Sequence, residues 1–380
     1  MERQRYIDAA RGTAMLFVLT VHFKEVYFLA PHDAQPWLTS IGLIASPTFI
    51  CISGIVVGLL HDTTPETFER LRVKLVDRGL FLLTVTHLLI LVAMRTVDRQ
   101  PYVFITDVIG VSLLIVPAAV SRASARTILA YGVTIYVLAW VAALLWHPHL
   151  WAMEALEESA FGSRSLTHFK YVFPIVPWLC VYLISGAIGK RLAFHQASGE
   201  ASAVLRFLVR TGFAAIGTAI AWHFLVARIA VARGPAVSTA IQTALMLSAR
   251  TQKLPPGPVY LLFHGGLALL LLAGWYLVEK RGMHRLVAAA GDLGRASLVA
   301  FIIQYYVYYV VLRMARPHLP YADAWPVYLI GSMLLVVLPA LEWQRRGYNR
   351  FLTVGYGRFH QWNTARQLAR LNAIPASGGS

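Results

Sequence analysis

The chain has 380 residues, of which 57% are hydrophobic and only 14% are charged, and its mean hydropathy is +0.59. This composition excludes an ordinary soluble globular domain and predicts a polytopic membrane protein. The net charge of +16 would suit a nucleic-acid-binding protein. However, the basic residues cluster in short segments between apolar runs, as in loops that face an anionic membrane surface. We therefore expect contact with membrane lipid and none with nucleic acid.

Ten apolar segments are long enough, or nearly long enough, to cross a bilayer. They run approximately over Thr13–Leu29, Leu38–Leu60, Gly79–Met94, Tyr102–Val120, Thr127–Trp146, Phe173–Gly189, Phe207–Val226, Pro258–Val278, Leu298–Leu312 and Trp325–Leu341. The predicted fold class is all-α: a polytopic integral membrane protein of about ten transmembrane helices. Residues 1–343 are expected to form a single transmembrane domain and residues 344–380 a basic cytoplasmic tail.

Lys and Arg are more frequent on the side of the membrane that holds the N-terminus, which places both termini in the cytoplasm. The first apolar run continues into a second one without a small-residue cleavage site, so no cleavable signal is expected. Cys51 and Cys180 both fall within apolar runs and indicate neither a disulfide framework nor a zinc site. Short loops and an Ala- and Arg-rich composition favour a bacterial inner (cytoplasmic) membrane.

The first hydrophobic segment combines Arg11 with His22. Eleven residues are close to three full helical turns, so both side chains project from one face, roughly 16 Å apart along the axis. An ionisable group deep in a bilayer is costly and is a functional candidate by default. Chance spacing, or a histidine that only bonds a neighbouring helix, is the alternative. Asp8, three residues before Arg11, is expected to pair with it.

The connection from His61 to Arg78 begins with a helix-start pattern at Thr64 and Pro65. Its basic residues are Arg70, Arg72, Lys74 and Arg78, three of them at four-residue spacing. Such a basic helix face at the membrane suits phosphate groups, such as those of coenzyme A. The alternative is ordinary anchoring by positive charge on the cytoplasmic side.

Other polar residues have simpler interpretations. Within the spans these are His87, Asp107, His223, His264 and Gln304, and each is interpreted singly as a structural hydrogen-bonding residue. Several His and Glu residues lie between His147 and Val172, but none has the spacing of a known zinc site, so no metal is expected. The segment Ser46–Ile55 combines Pro47 with Gly54, which predicts either a cofactor groove or a tight helix crossing.

Four motifs occur in an order that resembles the transmembrane acyltransferase superfamily. They are IDAARG followed by His22 and the SPTF…SGI segment, FPIVPWLCVYLISGAIGK at Phe173–Lys190, KLPPGPVYLLF at Lys253–Phe263 and LGRASLVAFIIQYY at Leu293–Tyr306. The arginine, ten-residue gap and histidine are similar to the acyltransferase-3 branch. The other motifs resemble more closely the heparan-α-glucosaminide N-acetyltransferase catalytic-domain branch and its bacterial relatives.

The resemblance implies transfer of an acyl group, typically acetyl, from cytosolic acyl-CoA to a hydroxyl or amine of a glycan or small-molecule acceptor across the membrane. It places Arg11 and His22 at the family's arginine and its partner, which is asparagine in the heparan enzyme. It also makes His32, before Trp37, a candidate for that enzyme's luminal-loop histidine, with a longer gap to the tryptophan. Gln304 stands where relatives often have histidine, so no role is transferred there.

The chemistry of the residues agrees with this interpretation. A thioester is already reactive, so the protein must position it and deprotonate a weak nucleophile, for which histidine is suited. His22 is the predicted general base, and a covalent acyl-histidine is the alternative route. Buried histidines and Asp107 would also suit a proton-coupled transporter or flippase, against which stands the lack of a visible inverted repeat. A structural or sensory membrane protein is a third possibility, and a homodimer is possible.

Overall fold

The chain folds into long helices in the computed structural model, which describes residues 4–28, 36–162, 166–233, 246, 248–319, 322–357 and 359. The longer helices are α1 (Arg5–Tyr27), α2 (Pro36–Thr63), α3 (Pro65–Phe81), α4 (His87–Met94), α5 (Ile105–Arg122), α6 (Ala125–Leu145), α7 (Trp151–Ala160), α8 (Ile175–Ala197), α9 (Ala201–Arg233), α10 (Pro258–Lys280), α11 (His284–Tyr305) and α12 (Trp325–Arg345). The architecture confirms the all-α fold class.

Nine helical stretches among the described residues are long and apolar enough to cross a membrane. Two of the nine stretches are longer than a single named helix. One is Pro65–Met94, in which α3 continues into α4, and the other is His284–His318, in which α11 continues beyond Tyr305. Helix α1 is not one of the nine, because its 23 residues include Arg5, Asp8, Arg11, Lys24 and Glu25. It nevertheless lies inside the bundle, packed mainly against α2 and α11. The protein is therefore a multi-pass membrane protein.

Each of these two long stretches, Pro65–Met94 and His284–His318, contains a π-helical segment. The first, Leu82–Thr86, links α3 to α4, and the second, Tyr306–Leu312, extends α11. A π-helical turn shifts the register of the side chains that follow it and is often found at functional sites. The second stretch brings a row of tyrosines to the end of α1.

Glycines allow two pairs of helices to cross with their backbones in contact. A Cβ atom at Gly12 of α1 would lie 2.0 Å from the Ala290 carbonyl oxygen of α11, and one at Gly58 of α2 would lie 2.0 Å from the Gly186 carbonyl of α8. No larger residue fits at either crossing without a backbone shift. A Cβ at Gly54 would likewise lie 2.5 Å from the Tyr182 carbonyl, so the predicted tight crossing in α2 is present.

Outer helices present apolar side chains where lipid is expected. In the most apolar 18 residues of α6 and of α9, only 22% of the residues are buried inside the protein, compared with 67% in α2. Leu145 and Phe224 are among the most exposed large apolar side chains. Since lipid tails are as apolar as these side chains, the exposure fits a bilayer rather than water.

Two short parallel strands, β1 (Tyr102–Val103) and β2 (Tyr171–Val172), close one end of the bundle. The loop before β2 is organised by Glu158 of α7, which is only 3% exposed. Its carboxylate accepts hydrogen bonds from the Thr167 backbone and hydroxyl (2.8 and 2.6 Å) and from the His168 backbone. Glu158 therefore holds the segment that leads into β2.

The part of the predicted cytoplasmic tail that is described, up to residue 357 and residue 359, packs against α3. The Asp77 carboxylate accepts hydrogen bonds from the Thr353 hydroxyl and from the Tyr356 backbone N–H (2.6 Å). A 3₁₀ turn, Tyr348–Phe351, precedes these contacts. The division of the chain at residues 343 and 344 stays a prediction.

Candidate active site

A cavity of about 690 Å³ is lined by α1 from Arg11 to Glu25. This volume lies within the usual range of ligand pockets, about 300–1,000 Å³. Most of its wall is apolar, including Val18, Phe49, Ile109, Leu298 and Phe301. Two groups of polar side chains in its wall are considered below, which we call the basic end (Arg11, Arg78 and Arg295) and the histidine end (His22, Glu25, Tyr309 and Lys253).

The basic end gathers three arginines from three helices, α1, α3 and α11. Arg11 lies 3.8 Å from the Asp8 carboxylate, as expected from their spacing, and Arg295 pairs with Asp292. Asn349 and Leu352 of the C-terminal segment complete the wall, and Asn349 donates a hydrogen bond to the Arg295 carbonyl (3.2 Å). Guanidinium groups in this arrangement suit phosphate, which they bind in a fixed fork geometry.

At the histidine end, His22 belongs to a short hydrogen-bonded chain. Its Nδ1 lies 2.7 Å from the Tyr309 hydroxyl and 3.3 Å from a Glu25 carboxylate oxygen. The Tyr309 hydroxyl donates to the same carboxylate at 2.8 Å. Tyr305 and Tyr309 stack on each other and both flank the imidazole, with ring centroids 5.3 and 5.6 Å from it. The imidazole is thereby held on two sides while it lines the cavity.

Lys253, in the loop before α10, adds a cation to the histidine end. Its ammonium group lies over the Phe173 ring, 5.1 Å from the centroid. Burial lowers the pKa of Lys253, partly offset by the nearby Glu25 carboxylate. In the sequence, Lys253 is recognisable only as part of a motif, because a lysine close to prolines in a loop gives no sign of burial.

Three of the predicted site residues line the cavity: Arg11, His22 and Arg78. Arg70 and Lys74 are exposed, Arg72 pairs with Glu69 at 2.8 Å, and none of these three lines the cavity. His32 lies outside the described residues. The roles of all these side chains stay predictions, and the structure supplies only their positions.

Four of the other polar residues of the spans contact hydrogen-bond partners, whereas the side-chain amide of Gln304 is buried and has no partner among the described residues, contrary to the hydrogen-bonding role predicted for it. His87 lies 2.9 Å from Asp107, whose carboxylate also accepts from the Phe104 backbone N–H (2.7 Å) at the start of α5. His223 and His264 contact backbone carbonyls at 2.9 and 3.1 Å. Among the described residues, no group of three or more His, Cys, Asp or Glu side chains could hold a metal ion.

Two functional candidates were missed from the sequence. Glu25 is three residues after His22 on the same helix, so the i,i+3 spacing could have identified it. Tyr309 is 287 residues from His22 and lies in the π-helical stretch Tyr306–Leu312. No local pattern signals the contact between Tyr309 and His22.

The protein is thus a multi-pass helical bundle whose internal cavity has a histidine at one end and arginines at the other. The catalytic model of the heparan-alpha-glucosaminide N-acetyltransferase family matches residues 3–226. The match spans more than half of the 380 residues, and the chain belongs to this family of membrane acetyltransferases. None of the curated proteins matches the chain. The family resemblance inferred from the motifs is confirmed.

Proposed function

We propose that the protein transfers an acetyl group from cytosolic acetyl-CoA to an amine or hydroxyl of a glycan or related acceptor at the opposite membrane face. The observation that carries this proposal is the continuous cavity joining the basic end to the histidine end. The donor would then enter from the cytoplasm at the basic end, and the acceptor would enter from the opposite side of the membrane at the histidine end. The family match supports acetyl transfer as the reaction class.

The basic end suits the donor. Arg11, Arg78 and Arg295 would bind its phosphates, and the positive-inside rule places this end toward the cytoplasm, where acyl-CoA is made. Arg70, Arg72 and Lys74 lie on the same helix as Arg78 but outside the cavity. We propose that they attract the phosphates toward the opening by long-range electrostatics rather than by contact.

The apolar middle of the cavity suits the uncharged arm of the donor. Arg11 and His22 are eleven residues apart on α1, which corresponds to about 16 Å along the helix. A donor held by its phosphates at the basic end would reach His22 only in an extended conformation. Such positioning lowers the entropy cost of bringing donor and acceptor together.

His22 would act as general base. The donor supplies a thioester that is already activated, and the acceptor N–H or O–H loses its proton to His22 as its lone pair attacks the acyl carbon. The C–S bond then breaks, and His22 returns the proton to the departing thiolate. A base of this kind typically contributes about 10²–10⁴-fold to the rate.

Purified protein in detergent tests the proposal, with radiolabelled acetyl-CoA as donor and glucosamine as the first acceptor. We expect transfer by the wild type, a loss of about 10²–10⁴-fold in His22→Ala, and unchanged acetyl-CoA binding by calorimetry in that variant. His284→Ala is the matched control, because His284 is exposed at the start of α11 and does not line the cavity.

Two results would overturn the proposal. One is a folded wild-type protein that binds neither acetyl-CoA nor longer acyl-CoAs, which would favour a carrier. The other is a His22→Ala protein that transfers acetyl groups at the rate of His284→Ala. The location of the protein in a bacterial cytoplasmic membrane is part of the same proposal, and the short loops and the Ala- and Arg-rich composition support it.

A further inference from the structure

The hydrogen bonds around His22 determine which of its two nitrogens is free. A tyrosine hydroxyl has one proton to donate. Since Tyr309 donates that proton to Glu25 (2.8 Å), its oxygen can only accept at the 2.7 Å contact with His22 Nδ1. The Nδ1 nitrogen must then carry a proton. In the neutral imidazole this leaves the lone pair on Nε2.

We infer that Tyr309 and Glu25 are positioning residues that hold His22 in the Nδ1–H tautomer, so that Nε2 is the base. The inference rests on the proposed function for its catalytic meaning, whereas the tautomer itself follows from the geometry. Neither residue touches the substrates in this role. They act through the imidazole.

Tyr309 is itself held from two sides. Its backbone carbonyl accepts a hydrogen bond from the Thr96 hydroxyl (3.2 Å), and its ring stacks on Tyr305 with an interplanar angle of 21°. Tyr305 is the last residue of α11 and Tyr309 lies in the π-helical stretch Tyr306–Leu312, and both rings contact His22 of α1. A hydroxyl placed by fixed backbone can orient a ring nitrogen better than a mobile side chain can.

The Glu25 carboxylate has a second effect. When Nε2 accepts a proton, the imidazole becomes a cation, and a carboxylate 3.3 Å from Nδ1 stabilises that cation. The carboxylate is open to the cavity, so water weakens this effect without removing it. Tyr309 lies beyond the matched residues 3–226, so the C-terminal part of the chain supplies half of this arrangement.

The test combines a spectroscopic and a kinetic measurement on the full-length protein in lipid bilayers. Solid-state NMR of ¹⁵N-histidine protein distinguishes the two neutral tautomers, and a His22→Ala sample identifies the His22 signals among the 13 histidines. The spectra are recorded at alkaline pH, where ordinary histidine, with a pKa of about 6.5, is neutral. Acetyl transfer is measured in parallel as kcat and KM.

Tyr309→Phe is the main variant and Tyr306→Phe its matched control. Both changes remove one hydroxyl from the same π-helical stretch, and each hydroxyl makes a 2.7 Å contact, but the Tyr306 hydroxyl donates to the Leu89 carbonyl instead of contacting His22. Glu25→Gln is a second variant that keeps the side-chain shape.

We expect the wild type and Tyr306→Phe to show a proton on Nδ1, and Tyr309→Phe and Glu25→Gln to show a mixture of tautomers. In these two variants kcat should fall by about 10–100-fold, with KM for acetyl-CoA unchanged. A wild-type His22 protonated on Nε2 would overturn the inference. So would a Tyr309→Phe protein with the tautomer and kcat of Tyr306→Phe.

The NMR result separates this inference from the proposed function. If the wild type shows the Nδ1–H tautomer but transfers acetyl to no acceptor, the positioning role stands and the proposed function fails. If transfer occurs with the other tautomer, the function stands and the positioning role fails.

Discussion

The two ends of the cavity organise their polar groups in different ways. At the basic end, Arg11, Arg78 and Arg295 come from three helices, and two of them have carboxylate neighbours at i,i+3 spacing. At the histidine end, His22 lies in one connected set of hydrogen bonds with Glu25 and Tyr309. Charge can hold a mobile anion from several sides, whereas a proton transfer needs one defined direction.

The two ends are alike in that each combines residues from within and beyond the matched residues 3–226. At the basic end, Arg11 and Arg78 lie within that range and Arg295 lies beyond it. The histidine end depends on Lys253 and Tyr309, both of which lie beyond that range. Changes in the scaffold shared by both ends should therefore disable both, and local changes should affect one end only.

Gly12→Ala should have the largest effect and should impair both ends together. The added Cβ would lie 2.0 Å from the Ala290 carbonyl, so α1 must shift away from α11. Overpacking of this kind typically costs about 1–3 kcal/mol. We expect a lower Tm and reduced acetyl-CoA binding and transfer. Gly274→Ala, where no atom lies within 4 Å, is the control and should be neutral; equal Tm values would contradict the packing argument.

Arg78→Gln should affect the basic end alone. Losing one guanidinium contact with phosphate should raise the Kd for acetyl-CoA about tenfold, or about 1.4 kcal/mol. At saturating donor, kcat should stay within about twofold, because His22, the proposed general base, is untouched. Arg126→Gln, an exposed arginine at the start of α6 that does not line the cavity, serves as control in the same calorimetric titration. Similar Kd values for the two variants would argue against a donor site at Arg78.

Glu158→Gln should loosen the wall of the histidine end in a pH-dependent way. Burial alone would raise the pKa of Glu158, but hydrogen bonds from Thr167 and His168 outweigh it and lower the pKa below its usual value. The carboxylate therefore stabilises the fold above the unfolded-state pKa of about 4.3, and this contribution is lost as the pH falls through the lower folded-state pKa.

Thermal unfolding of wild type and Glu158→Gln at several pH values measures this contribution. We expect a difference of about 1–3 kcal/mol near neutral pH that shrinks in acid. Glu154→Gln is the control: its carboxylate lies 3.6 Å from His168 and is 37% exposed, so its removal should matter little. A difference that is independent of pH would point to lost packing instead of lost charge.

The double variant Arg70→Gln and Lys74→Gln should have the smallest effect. Both side chains are exposed and lie outside the cavity, so they would change only the attraction of the donor. We expect acetyl-CoA binding about two- to threefold weaker at low salt and unchanged at high salt, since exposed charges are screened. A loss that persists at high salt would indicate direct contact with the phosphates.

Hydropathy predicted the helical spans well, and it failed where charged residues continue a helix beyond the apolar run. The ninth predicted segment began at Leu298, whereas α11 begins at His284. Its early turns contain Asp292 and Arg295, which lower the hydropathy although the backbone is helical throughout. Hydropathy also missed α3, but the helix-start pattern at Thr64 and Pro65 predicted it, and α3 does begin at Pro65. Hydropathy detects contact with lipid, not helix length.

The site was predictable only where its residues share one helix. Arg11 and His22 were identified by periodicity along α1, and both line the cavity. Arg295 belongs to the motif at Leu293–Tyr306 and was assigned no role from the sequence, although it lines the basic end. Tyr309 and Lys253 reach His22 and Glu25 through the packing of distant segments, for which one sequence has no local signal.

Helix α1 fixes the distance between Arg11 and His22. Because Arg11 and His22 belong to one continuous helix, their separation depends on residue count alone and cannot relax by hinge motion. Inserting one alanine between them would lengthen the separation by only about 1.5 Å but would rotate His22 by about 100° around the axis. His22 would then face away from Tyr309. A relative that uses a longer or shorter donor therefore cannot adapt by a small insertion in α1. We expect the change in cavity length to come from the other helices that line the cavity.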